Sequence, residues 1–426
     1  MINVLVFPCG SEIGLEVNEA LKRDKHIKLY GLSSVPCHGS FVYENYIEGI
    51  SFINSSSFMS ELNDVIKEHN IDVLIPSYDD VILFLSDKRE DLHCKLVTSS
   101  KETCEIARSK KKTYASLRNY DFTPKTYDID DISIDDLPLF AKPDIGQGSQ
   151  GAFRVETLED LEIIKKTDED YVICEMLPGE EYTVDAFTNI EGRIISLSMR
   201  KRVRTRNGIS VNTISSPLPD KVKEIAESIN KEIKMSGVWF FQVKIDKGGN
   251  YKLLEIAPRV AGSMSLSRVR GFNYILNAVY QAMGYEVKSL PHTIDMVEED
   301  RALSNEYKLG IKYSTAYIDL DDTIIIGDKV NTELIQFLYQ CQNNKVTLKL
   351  ISRHATIEQE TLKKYNIDVN LFKEIIHVEE PEKKSKYIRE KDAILIDDSF
   401  RERYDVSKEK GIPVFDLDGV AALIER

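Results

Sequence analysis

Residues 239–259 read WFFQVKIDKGGNYKLLEIAPR, and the way this stretch alternates and turns decides how the rest of the chain is read. Trp239–Ile245 and Tyr251–Ile256 are apolar and rich in β-formers, and Asp246–Asn250 between them supplies the Gly-Gly and Asn that a tight turn demands. The pattern predicts a hairpin with Gln242 and Glu255 on neighbouring strands. An amide oxygen facing a carboxylate suits a hard cation such as Mg2+, which takes oxygen ligands and completes its shell with water and nucleotide phosphates. Arg259 follows at the strand end, where its planar fork suits a phosphate or acyl-phosphate oxygen. A surface hairpin with a buried Gln and a salt-bridged Glu is the plainer alternative, so the neighbouring sequence has to decide.

Outward from the hairpin, 426 residues exceed what one core holds and predict about three domains. No run of eighteen or more apolar residues occurs, and the start MINVLVFPCG enters a strand without a basic region before it, so a cytoplasmic protein is expected. Cys9, Cys37, Cys94, Cys104, Cys174 and Cys341 show no paired spacing, which argues against a disulfide framework and a zinc site. A net charge of −14 argues against a nucleic-acid partner. Small molecules, or phosphates held in local basic pockets, are the expected partners; no membrane is expected, and a homodimer is compatible with the sequence.

Residues 1–99 alternate apolar strands (Ile2–Phe7, Ile27–Leu32, Val73–Pro76, Leu96–Thr98) with helices (Leu15–Leu21, Met59–Glu68), an α/β pattern that predicts a parallel, doubly wound sheet. The turn from Gly10 to Gly14 lacks the full dinucleotide fingerprint and reads as structural. From residue 100 to 296 helices mix with antiparallel-looking strands, an α+β pattern. Lys101–Asn119 is basic, with Ser109-Lys-Lys-Lys112 in its middle, and Leu139–Lys142 is a strand leading into a glycine-rich loop containing Gly146, Gly148, Ser149 and Gly151. The N–H groups of such a loop can close over phosphates, with Lys142 as a point charge. Arg200, Arg202, Arg204 and Arg206 alternate on one predicted strand, so all four should face one way. Like charges in a row repel, and an anion site is expected there. Residues 297–311 lose their apolar period and read as a linker; a second α/β pattern fills residues 312–426.

Taken together, residues 1–295 resemble the ATP-grasp superfamily, specifically carboxylate–amine ligases with a nucleotide domain like that of carbamoyl phosphate synthetase large subunits. The resemblance rests on Ser109-Lys110 opening a helix that ends before Phe122-Thr-Pro-Lys125, on Ala-Lys142-Pro with its glycine loop, on the hinge Cys174-Glu175-Met-Leu-Pro-Gly-Glu-Glu181, and on Gln242 with Glu255-Ile-Ala-Pro-Arg259. It implies ATP phosphates on Lys110 and Lys142 under the loop 146–151, adenine at Glu175, ribose near Glu181, Mg2+ on Gln242 and Glu255, and a phosphoryl group steadied by Arg259. The chemistry implied is phosphorylation of a carboxylate and attack on the acyl phosphate by an amine, with Arg200, Arg202 and Arg204 as candidates for the carboxylate. Ala257 stands where the family usually has a metal-binding Asn, which puts a second Mg2+ in question.

Residues 312–426 resemble the haloacid dehalogenase (HAD) phosphatases. Ser314–Leu320 delivers Asp319-Leu-Asp321-Asp-Thr323, Ser352 ends Val346–Ile351, Lys384 opens a helical stretch with Lys383 and Lys386 as rivals, and Asp397-Asp398 ends Ala393–Ile396. The resemblance implies a Rossmannoid domain with Asp319 as nucleophile, Asp321 as general acid and base with a pKa raised by neighbouring carboxylates, Mg2+ on Asp319, Asp321, Asp397 and Asp398, and the phosphoryl oxygens on Ser352 and Lys384. The spacing leaves no room for a cap domain. The expectation is a bifunctional ligase and phosphatase. Alternatives are a small-metabolite kinase with an opposing phosphatase, or a ligase whose C-terminal domain only docks.

Overall fold

In a computed structural model, residues 1–146, 148, 150–289, 294–354 and 358–425 are described. They divide into two compact units, Met1–Leu303 and Ser304–Arg426.

Unit 1 begins with strands β1 (Ile2–Phe7), β2 (Ile27–Ser33), β3 (Asn45–Glu48), β4 (Val73–Pro76) and β5 (Lys95–Leu96). They form a parallel sheet in the order β3-β2-β1-β4-β5. Strands covered on both faces need apolar runs, and β1 from Val4 onward and β4 have them. The strand order reverses between β1 and β4, the place where such sheets open a crevice at the carboxyl ends of their strands. Ser11 and Ser77 meet there: Ser11 Oγ donates to Ser77 Oγ at 2.9 Å and accepts from the Gly14 N–H at 2.9 Å, capping the helix Glu12–Leu21. A Cβ at Gly14 would come within 2.5 Å of the Cys9 carbonyl oxygen, so close packing requires that glycine.

Four short strands, β6 (Thr126–Tyr127), β7 (Leu139–Pro143), β8 (Phe153–Val155) and β9 (Tyr171–Glu175), pair antiparallel in the order β6-β9-β7-β8. The larger sheet contains β10 (Glu181–Thr188), β11 (Ile194–Arg206), β12 (Ile209–Ser216), β13 (Gly237–Ile245), β14 (Tyr251–Ala257) and β15 (Glu298–Asp300) in the order β14-β13-β10-β11-β12-β15. Val222, Ile225, Ala226, Ile229 and Ile233 place an apolar stripe along the helix Asp220–Ile233, which packs on Trp239 and Phe241. Val4, Val6 and Val17 share a core with Phe187, Phe240 and Phe272, so the doubly wound sheet and the larger sheet are fused through one hydrophobic cluster.

The sequence expectation of a linker over 297–311 needs correction. Glu298–Asp300 is an edge strand on β12, held by Asn212 Nδ2 donating to Glu298 at 3.0 Å and to Asp300 at 2.9 Å, and the boundary between units falls at Leu303. Three consecutive acidic residues carry no hydrophobic period; their pairing comes from long-range hydrogen bonds.

Unit 2 contains β16 (Thr315–Ile318), the hairpin β17 (Ile325–Ile326) and β18 (Lys329–Val330), then β19 (Thr347–Ser352), β20 (Glu374–His377), β21 (Ala393–Ile396) and β22 (Val414–Phe415). Its parallel sheet runs β20-β19-β16-β21-β22. The hairpin and the helix Thr332–Asn343 occupy the connection from β16 to β19. No helix among the described residues is long and apolar enough to cross a membrane.

Candidate functional site

The hairpin forms as its sequence dictates. Asp246 Oδ1 accepts from the N–H groups of Gly248 and Asn250 at 2.7 and 2.8 Å, Gly249 takes a φ of +83°, and Gln242 is registered directly against Glu255. Both side chains line a cleft of about 910 Å³ together with Lys110, Lys142, Glu175 and Glu181, and its apolar wall includes Phe140, Met176, Leu177 and Leu254. Glu255 makes no hydrogen bond or ion pair among the described residues. A carboxylate left unpaired beside an amide oxygen and two lysines fits one divalent cation whose remaining ligands are water and phosphate. Ala257 is buried in the core and offers no ligand atom.

Lys142 is buried; its Nζ donates to Tyr114 Oη at 2.6 Å and to the Leu254 carbonyl at 3.1 Å. Burial works against its charge, but Tyr114, Cys174 and Glu255 outweigh it and hold the ammonium above the usual lysine range. Lys110 is affected the other way: burial, only partly opposed by Glu255, lowers its pKa, and its Nζ reaches the carbonyls of Pro143 and Asp144 at 3.0 and 3.1 Å. Asp144 in turn accepts from Ser109 Oγ at 2.8 Å and from the Lys111 N–H at 2.7 Å, which ties the helix Lys110–Ser116 to the strand that carries Lys142. The basic stretch forms two helices, Lys101–Arg108 and Lys110–Ser116, divided at Ser109, whose extended backbone and side chain cap the second.

In the glycine loop, Gly146 and Gly148 line the cleft and Gly151 takes a φ of +71°; Ser149 lies outside the described residues. Gly208 packs so tightly on Gly148 that a Cβ would lie 2.3 Å from the Gly148 carbonyl carbon, which fastens this loop to the β11–β12 turn. Glu175 ends β9 and accepts from the Lys125 N–H at 2.8 Å. Glu181 begins β10 and pairs with Arg202, with Lys244 at 3.6 Å.

The arginine stripe does not form the expected anion surface. A register shift between Arg202 and Arg204 breaks the alternation of β11. Each of the first three cations has its own carboxylate. Arg200 is buried in a two-point pair with Asp185 at 3.0 and 3.1 Å, Arg202 meets Glu181 and Gln242, and exposed Arg204 reaches Asp300 at 2.8 Å. Arg206 is exposed. Protein carboxylates thus supply the counter-charge that was assigned to a ligand. Arg259 is likewise anchored: its guanidinium pairs with Asp79, at the start of the helix after β4, and lies 5.1 Å from the Phe240 ring.

A second cleft of about 1240 Å³ opens beyond the first, reaching Ser11, Ser77, Arg200, Arg259 and Arg301. Gly148, Gln150, Arg202, Gly208, Gln242 and Glu255 line both, so the two clefts meet at the proposed cation ligands.

In unit 2, carboxylate oxygens of Asp319, Asp397 and Asp398 lie within 4.8 Å of one another. Lys384 Nζ donates to Asp319 at 2.5 Å and to Asp397 at 2.7 Å, while Lys383 pairs with Asp405 and Glu409 and Lys386 with Glu382. Geometry therefore selects Lys384 from the three rivals. Burial, opposed by Lys384 and reinforced by Asp397, pushes the Asp319 carboxyl up to about 7, and burial raises Asp397 as well. Three carboxylates facing one ammonium remain short of positive charge, which fits a divalent cation. Asp321 departs from expectation: half-exposed, it is not in this group of three, and its partner is His354, whose Nδ1 lies 2.8 and 2.9 Å from its carboxylate oxygens. Among the described residues, its hydrogen-bond partner is thus an imidazole. Buried Ser352 accepts from the His354 N–H at 3.0 Å.

Residues 167–301 match the family described as "ATP-grasp in the biosynthetic pathway with Ter operon". Among solved structures, the chain is similar to the biotin carboxylase domain of Hydrogenobacter thermophilus 2-oxoglutarate carboxylase, in complex with MgADP, ADP and bicarbonate, at 15% identity and a TM-score of 0.58 over 70% of this chain and 74% of that one. It is also similar to the ADP complex of Staphylococcus aureus N5-carboxyaminoimidazole synthetase (16% identity, TM-score 0.55, 68% and 78% covered). A third is the Bacillus licheniformis L-amino acid ligase (16%, 0.54, 66% and 74%). Unit 1 has the ATP-grasp fold. No curated protein matches the chain at a significant level.

Within this ATP-grasp unit, sequence reasoning missed Tyr114, which orients Lys142, and the carboxylates Asp79 and Asp185, which neutralise Arg259 and Arg200. Only Asp185 carried a signal, a lone charge in the apolar run Val184–Phe187.

Proposed function

We propose that the chain is a bifunctional enzyme. Residues 1–303 would be an ATP- and Mg2+-dependent ligase that activates a small carboxylate as an acyl phosphate for attack by an amine; residues 304–426 would be a HAD-like, Mg2+-dependent phosphomonoesterase. The observation that carries the ligase reading is the junction of the two clefts at Gln242 and Glu255, because a nucleotide in the first and a carboxylate in the second would bring the γ-phosphoryl group and its acceptor together there. Mg2+ held by Gln242 and Glu255 would neutralise phosphate charge during transfer. Lys110 and Lys142 would hold phosphate oxygens from one side. Arg259, fixed by Asp79, would face the transferred group from the other, so catalysis would consist of positioning and charge stabilisation.

The phosphatase reading is supported by Asp319, Ser352, Lys384 and Asp397, all at the carboxyl ends of neighbouring parallel strands or turned toward them. A cation there keeps carboxylates ionised. Asp319 would attack phosphorus and Lys384 would stabilise the phosphoryl oxygens. Asp321, oriented by His354, would protonate the leaving oxygen and then activate water. Release of ADP and phosphate measured with and without added amines tests the ligase: ADP formation that needs both a carboxylate and an amine is expected. A stable phosphorylated product without amine would identify a kinase instead.

A further inference from the structure

The far wall of the second cleft serves no step described so far. It joins the N-terminus of the helix Glu12–Leu21, Arg301 and Ser210, with Ser11, Glu12 and Ile13 all lining the cleft. Ser11 satisfies the Gly14 N–H, whereas the N–H groups of Glu12 and Ile13 have no acceptor within the helix, and the helix dipole adds partial positive charge at this end. Arg301 is held through its own N–H, which donates to the Val211 carbonyl at 2.8 Å, but its guanidinium is only loosely engaged, 3.4 Å from the Ser210 carbonyl and 3.9 Å from Glu12. Ser210 is 8% exposed, and its Oγ is buried without a hydrogen-bond partner. Buried hydroxyls are disfavoured unless bonded, so an unbonded one on a residue that lines the cleft is suited to a ligand. Gly262 keeps the approach clear: a Cβ there would lie 3.2 Å from Arg301 Nη1 and 3.5 Å from Glu12 Oε2.

We propose that this wall is a subsite for a phosphate monoester, so that the small molecule taken by the ligase carries a phosphate at the end remote from its reacting group. The inference rests on the ligase reading for the identity of the ligand, but not for the existence of the subsite. Helix N–H groups, a guanidinium fork and a hydroxyl belong to residues of one wall, and several donors of different kinds suit the three acceptor oxygens of a phosphate dianion better than the two of a carboxylate. Glu12 opposes the anion in its present position; its side chain is half-exposed, and the proposal requires it to turn to solvent when Arg301 takes the ligand. The ligation product keeps its phosphate ester, and the reaction class that consumes it is hydrolysis: the ester's P–O bond breaks, water gives its oxygen to phosphorus, and the released alcohol takes the proton. Unit 2 is proposed to perform that reaction.

The test is calorimetric titration of the full chain with inorganic phosphate, with and without Mg2+ and a non-hydrolysable ATP analogue. Arg301→Gln is expected to weaken one class of phosphate sites about tenfold or more, and Ser210→Ala about threefold without lowering thermal stability, since its hydroxyl has no structural bond to lose. Lys384→Gln should leave that class intact. Gly262→Ala, which crowds the guanidinium, substitutes for Arg301→Gln if the latter does not fold. Phosphate binding unchanged by Arg301 and Ser210 substitution would overturn the subsite, and acetate binding as tightly as phosphate would overturn its assignment to phosphate esters. If the analogue fails to bind while the Arg301-dependent phosphate site persists, the ligase reading falls and the subsite stands.

Discussion

The first sheet of unit 1 and the sheet of unit 2 are the same scaffold with different ends. Each is parallel and five-stranded, and numbered within itself each runs 3-2-1-4-5. At the end of the central strand, unit 1 has Pro8-Cys-Gly-Ser11 where unit 2 has Asp319-Leu-Asp321. At the end of the fourth strand, Ser77-Tyr-Asp79 corresponds to Asp397-Asp398-Ser399. One crevice is lined with hydroxyls, and its Asp79 is spent on Arg259; the other gathers three carboxylates around Lys384. The topology provides the crevice in both, and the residues after the strands decide whether it is lined with hydroxyls or with carboxylates.

The largest effect that can break this contrast is at the central strand of unit 2. Asp319→Asn replaces the proposed nucleophile by a neutral amide and should lower hydrolysis of a generic phosphate monoester by about 10³-fold or more, leaving ATP turnover intact. If ATP consumption stops too in a folded chain, the two units are not independent. In unit 1 the corresponding chemistry is expected on the larger sheet: Glu255→Gln should reduce substrate-dependent ADP formation about 100-fold, and full activity would remove Glu255 from the cation site. Asp185→Asn sharpens the contrast between binding and structural charge. It leaves Arg200 buried without a counter-ion and should cost about 3–5 kcal/mol, read by denaturation through the fluorescence of Trp239, the single tryptophan and a core residue of unit 1. A stability unchanged by Asp185→Asn would return Arg200 to the list of ligand-binding groups.

The smallest effect is a pH dependence at the fourth strand of unit 1. Burial raises the Asp79 carboxyl, but Arg259 outweighs it and holds the pKa below the usual carboxylate range. A depressed folded pKa stabilises above the unfolded value, about 3.9, and that stabilisation disappears as the pH falls through the folded value. The stability gap between the parent and Asp79→Asn should therefore be full at neutral pH and shrink below about pH 4. A gap independent of pH would mean that the pair is held by shape alone.

These contrasts also mark what the sequence could reveal. The hairpin around Gln242 and Glu255 was legible because its strand pattern and its Asp-Lys-Gly-Gly-Asn turn are local, and the parallel sheets were legible from their apolar runs. The arginine stripe was misread because register shifts on both sides of Arg204 move it out of step and because the carboxylates that answer Arg200, Arg202 and Arg204 arrive from β10 and β15. Asp79 and Arg259 are 180 positions apart, and Asp321 and His354 are 33 apart; no periodicity links such pairs. Lys142 could be named from its strand end, but Tyr114, which sets its direction, could not.

The edge strand Glu298–Asp300 bears on how the protein can be divided. A chain ending at residue 296, where the sequence suggests a boundary, would strip β12 of its outer neighbour and expose a row of unpaired N–H and C=O groups. Such a rim is a template for a second copy, and the shortened protein would tend to self-associate rim to rim, or aggregate, before any loss of its catalytic residues was felt. Three acidic side chains at 298–300 act as a gatekeeper against that outcome in the intact chain. Unit 1 prepared by itself should therefore end no earlier than Leu303, and it would then also keep Arg301.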